Sequence, residues 1–180
     1  MNAKKYLLRA AYELCCLRPI ERITLKEICE NAEVSKQTVY RYYRDKYELV
    51  NELYRQLTQE HIIDVNAVMT MDDWKQMYLA QFRVFRNHLD VVRHLYSSRE
   101  TGCTLQYEIE STIRFDRGLL AKKGADLTDP RIQFAIEAKD VGGTYMMRDW
   151  ILGGMQVEDD EMVERFRCII PHILVPYYET

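Results

Sequence analysis

Between Ser35 and Lys46 stand four basic side chains, Lys36, Arg41, Arg44 and Lys46, against one acid, Asp45. Gln37, Thr38, Tyr40 and Tyr42 lie among them. This set donates hydrogen bonds and carries positive charge, and it holds no nucleophile–base pair. Glutamine can pair with adenine through two hydrogen bonds, and lysine can reach the acceptors of guanine. Lys36 and Gln37 are the candidates for base edges, and Tyr40 can press on a thymine methyl or donate to a phosphate. Thr38, Tyr42 and Lys46 suit phosphate oxygens, and Lys26 a backbone or base contact. The plain alternative for each is a solvated helix surface.

Short helices must position these groups. Thr24 followed by Glu27 predicts a capping box, with Leu25, Ile28, Cys29 and Ala32 on one apolar stripe. Asn31 to Ser35 breaks that helix, and Ser35 caps the next, where Val39 is the buried anchor and Tyr43 packs inside. Asp45 and Glu48 predict a second box, opening a helix with Leu49, Val50, Leu53 and Leu57 along one side and running on to about Met69. Ahead of them, residues 3–17 form a helix that Arg18-Pro19 stops, since proline disfavours helical geometry in the residue before it. Residues 1–57 thus read as a helical head too small for a generous core.

Over about residues 3–57 this pattern resembles the DNA-binding head of the tetracycline-repressor (TetR) family of bacterial transcriptional regulators. The threonine-capped helix, Ala-x-Val-Ser, Thr-Val-Tyr-x-Tyr-Tyr and Asp-Lys-x-x-Leu carry the likeness. Two positions depart from it: Glu33 and Gln37 stand where the family often has glycine. Glu33 occupies a turn that favours positive φ, and Gln37 adds a base-reading side chain, so an operator cannot be borrowed from relatives. The resemblance implies an all-α protein with a helix-turn-helix domain over 1–57 and an effector-binding, dimerising helical domain over 58–180. It also implies a homodimer on a palindromic double-stranded operator, acting as a repressor released by a small-molecule effector that alters the spacing of the two heads. Lys46, opening the fourth helix, takes a phosphate-binding role by the same likeness.

The charge divides in keeping with this. The chain is −3 overall, yet residues 1–60 hold eleven Lys/Arg against nine Asp/Glu. A basic head on an acidic body predicts modest, salt-sensitive non-specific DNA affinity. No apolar run approaches the roughly 18 residues that span a bilayer, and the first twenty residues form an amphipathic helix rather than an export signal. The five cysteines, 15, 16, 29, 103 and 168, have no metal-ligand spacing and read as reduced cytoplasmic thiols, with Cys103 the exposed one. The four histidines form no HxxxH pattern, and no phosphate loop or nucleophile elbow occurs, so neither an enzyme nor a metal or cofactor site is expected.

Beyond residue 60 the chain reads as helices from Asp72 or Asp73, over Leu89–Tyr96, 103–122, 131–153 and 158–175, with Gly153-Gly154 as a break. The last two resemble the family's dimerising pair, with surplus apolar surface at Ile151, Met155, Met162, Phe166, Ile169, Ile170 and Ile173, and Gly142-Gly143 marking a close approach. Tyr107, Tyr145 and Trp150 combine bulk with a polar tip and are the candidate effector-binding residues. The short body and Asn87-His88-Leu89-Asp90-Val91-Val92 are similar to a subgroup that includes regulators of dihydroxyacetone kinase operons, some controlled by protein partners. A regulator of that kind, without a small-molecule inducer, or a helical adaptor is the alternative.

Overall fold

A computed structural model describes residues 3–59 and 70–179. Among them the regular elements are all helical. They are α1 (Ala3–Leu17), α2 (Leu25–Asn31), α3 (Lys36–Tyr40), α4 (Lys46–Gln59), α5 (Met71–Asn87), α6 (Leu89–Tyr96), α7 (Thr104–Lys122), α8 (Pro130–Leu152), α9 (Asp159–Cys168) and α10 (Val175–Glu179). A single 3-10 turn, Ile20–Arg22, joins α1 to α2. The expected continuation of α4 to Met69 lies outside the described residues.

Two compact units emerge, the first formed by Met1–Glu60 with Asn87–Tyr107. Leu7, Ile28, Val39, Leu49 and Leu95 are fully buried in it. Its α1 packs on α2, α4 and α6. The apolar stripes account for this core, and polar ties then set the register. Tyr12 Oη meets His88 Nδ1 at 3.0 Å, His94 Nδ1 meets the Cys15 carbonyl at 2.7 Å, and the Tyr54 and Tyr96 hydroxyls meet at 2.8 Å. Asn51 donates to the Gly102 carbonyl at 2.8 Å and accepts from the Thr104 hydroxyl at 3.1 Å. Residues 87–107 therefore join the same compact unit as the head.

The second unit holds His61–Arg86 and Glu108–Thr180, described from residue 70. Its core is aromatic: Tyr78 stacks on Phe166 with ring centres 5.4 Å apart, and Phe82 meets Trp150 edge-on at 4.7 Å. Asp129 caps α8 through the Arg131 N–H at 2.8 Å, with Pro130 at the first helical position, where its missing N–H removes no helical bond. The helix ends where Gly154 takes φ +81° and Met155 N–H donates to the Trp150 carbonyl at 2.9 Å.

Three local expectations change. Thr70, not Asp72 or Asp73, caps α5, because its hydroxyl accepts from Asp73 N–H while the Asp73 carboxylate returns to Thr70. The last long helix stops at Cys168 instead of running to 175, since Pro171 cannot donate and disfavours helix at Ile170, and the chain turns before α10. Cys103 is buried, and Cys168 is the exposed thiol.

Candidate nucleic-acid interface

The helix-turn-helix is built by its caps. Thr24 Oγ1 accepts from Glu27 N–H at 3.2 Å, and Glu27 returns to Thr24 N–H at 2.8 Å. Those hydrogen bonds, with Arg18 beside them, hold the Glu27 carboxyl down at about 2. The turn between the helices closes as Val34 N–H donates to the Cys29 carbonyl at 3.0 Å and Glu33 N–H to Glu30 at 3.2 Å. The Val34 bond, reaching back five residues, needs a left-handed residue just before its donor, and Glu33 supplies it at φ +53°. Ser35 Oγ accepts from Thr38 N–H at 3.2 Å and opens α3.

Val39 anchors α3, with no exposed surface, and Tyr43 is buried behind it. On the opposite side Lys36, Gln37 and Arg41 are exposed, and Tyr40 is 59 % exposed. None of these four makes a side-chain hydrogen bond or ion pair among the described residues. A five-residue helix thus presents one continuous row of donors with nothing intramolecular to satisfy them. Tyr42 is 43 % exposed at the edge of the row, its ring tilted against Tyr43. Thr38 is half-buried, and its hydroxyl is engaged with Ser35 at 3.0 Å. Lys26 projects from α2 into solvent and pairs with Glu30 at 3.5 Å.

Lys46 has a different position from that of a free phosphate clamp. Its ammonium donates to the carbonyls of Ile20 and Ile23, each at 2.8 Å, and to Glu21 at 3.4 Å. It thereby satisfies the acceptors of the turn between α1 and α2. Asp45 caps α4 through Glu48 N–H at 2.9 Å, while Glu48 reaches back to the backbone of Arg44 rather than of Asp45. The box is one residue wider than expected.

Two family profiles match the chain: "Bacterial regulatory proteins, tetR family" over residues 7–53, and "Transcriptional regulator C-terminal region" over 72–172. The chain belongs to the TetR family. It is thus a TetR-family transcriptional regulator with a helix-turn-helix head, and DNA is the partner of such heads. Among solved structures it is similar to "Dihydroxyacetone kinase operon activator DhaS", with TM-score 0.64, 14% identity and 99% of each chain covered. It is also similar to a protein of Shewanella sp. PV-4 assigned to the tetR family of transcription regulators, with TM-score 0.50 and 15% identity over 94% of this chain and 97% of that one. At these identities the likeness concerns the fold. No functionally curated protein sequence matches.

The three ligand candidates of this TetR-family chain occupy different surroundings. Tyr107 packs edge-on against Tyr54, 6.3 Å between ring centres, within the unit that holds the head. Tyr145 is 50 % exposed on α8. Trp150 is core, its indole N–H donating to the Val157 carbonyl at 3.2 Å. None lines a cavity of the second unit whose volume is about 30 Å³ and whose walls include Tyr78, Gln81, Glu108, Lys139, Asp140 and Phe166. Sequence reasoning passed over Lys139-Asp140 because adjacent opposite charges on a helix usually mark a solvated face. The signal that could have found them is the apolar row on the other side of α8, at Phe134, Val141 and Tyr145, which leaves Lys139 and Asp140 pointing inward.

The expected apolar surplus also moves. Ile151, Met155, Met162, Phe166 and Ile170 are consumed by the core of the second unit. Phe134 (74 % exposed), Val141, Tyr145 and Met146 on α8 are the exposed apolar side chains there. The expected close approach is not seen within the chain: a Cβ at Gly143 would meet the Ile169 side chain at 3.4 Å, ordinary van der Waals contact, and Gly142 faces open space. Among the described residues no helix is long and apolar enough to cross a membrane.

Proposed function

We propose that this protein is a homodimeric, sequence-specific regulator, a repressor released from a palindromic operator by a small-molecule effector. The observation that carries the reading is the unsatisfied row Lys36, Gln37, Tyr40 and Arg41 on a helix pinned from behind by Val39. Lys36 and Gln37, nearest the N-terminus of α3, address base edges, while Tyr40, Tyr42 and Lys26 contact the DNA backbone or thymine methyls. Thr38 shapes the first turn, and Lys46 supports phosphate binding by holding the α1–α2 turn and the start of α4. Residues 1–57 serve as the DNA-binding domain and 58–180 as the regulatory and dimerising one.

Dimerisation draws support from α8. Phe134, Val141 and Tyr145 recur at i, i+7 and i+11 on one stripe, with Gly142 beside them open to close approach. A second copy related by two-fold symmetry covers such a stripe with the same stripe. Two heads then read two half-sites, one helical turn apart or a multiple of it.

The test is unbiased selection of duplex DNA by the full-length protein. Enrichment of an inverted repeat, protected symmetrically in footprinting, is the expected result. No enriched sequence would leave a helical adaptor as the better reading. Activation rather than repression is the second reading, favoured by the fold shared with the operon activator DhaS. A reporter downstream of the selected site distinguishes them by the sign of its response.

A further inference from the structure

The second unit buries a cluster of charged groups. Lys139 Nζ lies 2.6 Å from Asp116 Oδ2 and 2.6 Å from Asp140 Oδ1, and the Tyr178 hydroxyl donates to Asp116 at 2.9 Å. Gln81 donates to Glu108 at 3.2 Å on the other wall of the cavity. Asp140 is 5 % exposed, lines that cavity, and leaves its Oδ2 without a hydrogen-bond partner. Two carboxylates therefore share one lysine, and a third, Glu108, lines the same cavity. A buried acceptor without a donor is costly, and so is surplus buried negative charge.

The cavity supplies what a positive guest needs. Tyr78 and Phe166, stacked on each other, both line it, and aromatic faces attract cations. Among the described residues that line it, the one cation, Lys139, is already shared between two carboxylates, which disfavours an anion. The volume of about 30 Å³ admits an ammonium group on a short stem rather than a drug-sized molecule.

We infer that this cavity receives a small organic cation, its ammonium donating to Asp140 Oδ2 and its stem lying against the rings of Tyr78 and Phe166. This rests on the effector-controlled reading and names the ligand class. Burial pushes the Asp140 carboxyl up to about 7, against the pull of Lys139 and with Asp116 adding to the rise. The groups around it are Lys139 on α8, Asp116 and Glu108 on α7, Tyr178 on α10 and Tyr78 on α5. Near neutral pH a cationic guest then expels a proton from Asp140.

Calorimetry of the full-length protein with methylammonium and ethylammonium chloride, at pH 7 in two buffers of unlike ionisation heat, tests this. Saturable binding with proton release is the expected result, with affinity falling about tenfold or more in Asp140→Asn. Proton release in the wild type is informative even if that variant folds poorly. No binding of either amine, equal binding of neutral glycerol, or unchanged affinity in a folded Asp140→Asn protein would overturn the inference. Amine binding that leaves affinity for the selected operator unchanged would overturn effector control and leave the receptor standing. Failure of amine binding beside a selected palindrome would do the reverse.

Discussion

Replacing Lys46 with alanine separates two roles that the same residue could play. The ammonium makes two bonds of 2.8 Å, to the Ile20 and Ile23 carbonyls, and a longer one to Glu21. Hydrogen bonds from a charged donor are each worth about 1.5–3 kcal/mol, and the partly wet setting discounts them. The net loss should be about 2–3 kcal/mol, because water can replace some but not all of the donors. For a chain of this length that lowers the thermal midpoint by about 4–12 °C. Circular dichroism melts, run beside fluorescence-polarisation titrations on the selected operator, measure both effects. Lys36→Ala is the matched control: it should melt within about 0.5 kcal/mol of wild type and relax base preference at one position of each half-site. If Lys46→Ala melts like wild type while DNA affinity falls for every sequence, the carbonyl ties are energetically empty and the residue is a phosphate clamp alone.

Other perturbations have equally definite outcomes. Glu33→Gly should stabilise the protein by about 1 kcal/mol, because it removes the left-handed strain of a side-chain-bearing residue, and an unshifted denaturation midpoint would contradict this. Glu27 has its folded pKa lowered to about 2, so its contribution is complete above the ordinary carboxylate range and disappears as pH falls from about 4.5 towards 2. Glu27→Gln should flatten that acid limb in melts across a pH series, with an unaltered limb counting against the cap. Gln37→Ala should change which base is enriched at one position of each half-site, and selection with unchanged preference would remove its base-reading role. Phe134→Lys combined with Tyr145→Lys should convert the proposed dimer to a folded monomer in sedimentation, and a persisting dimer would place the interface elsewhere.

What was legible in the sequence was mostly what is local. Thr24 with Glu27, Ser35 alone and Asp45 with Glu48 announce helix starts within four residues, and each carries a cap at the expected helix. Val39 and Tyr43 are buried as the stripe around them required. The turn at Glu33 was legible too, because related heads often have glycine there, the residue that takes a left-handed position without strain. The ties that cross the chain were not. Lys46 finds its carbonyls 23 to 26 residues away, and a lysine opening a helix gives no sign of that by itself. The body shows the same division. Aromatic bulk singled out Tyr107, Tyr145 and Trp150, yet bulk does not distinguish a wall of a cavity from a core or a surface stripe. Lys139, Asp140 and Asp116 meet only because α7 and α8 pack together, a pairing no local spacing encodes.

The accessibility of the thiols has a practical consequence. Cys15, Cys29 and Cys103 are buried, and burial drives the Cys15 thiol up to about 12, with Cys16 raised as well. A maleimide dye at neutral pH should therefore label Cys168 first, without any engineered mutation. That position adjoins Ile169, a wall of the polar cavity, so the attached fluorophore becomes an optical gauge of whether anything has entered it.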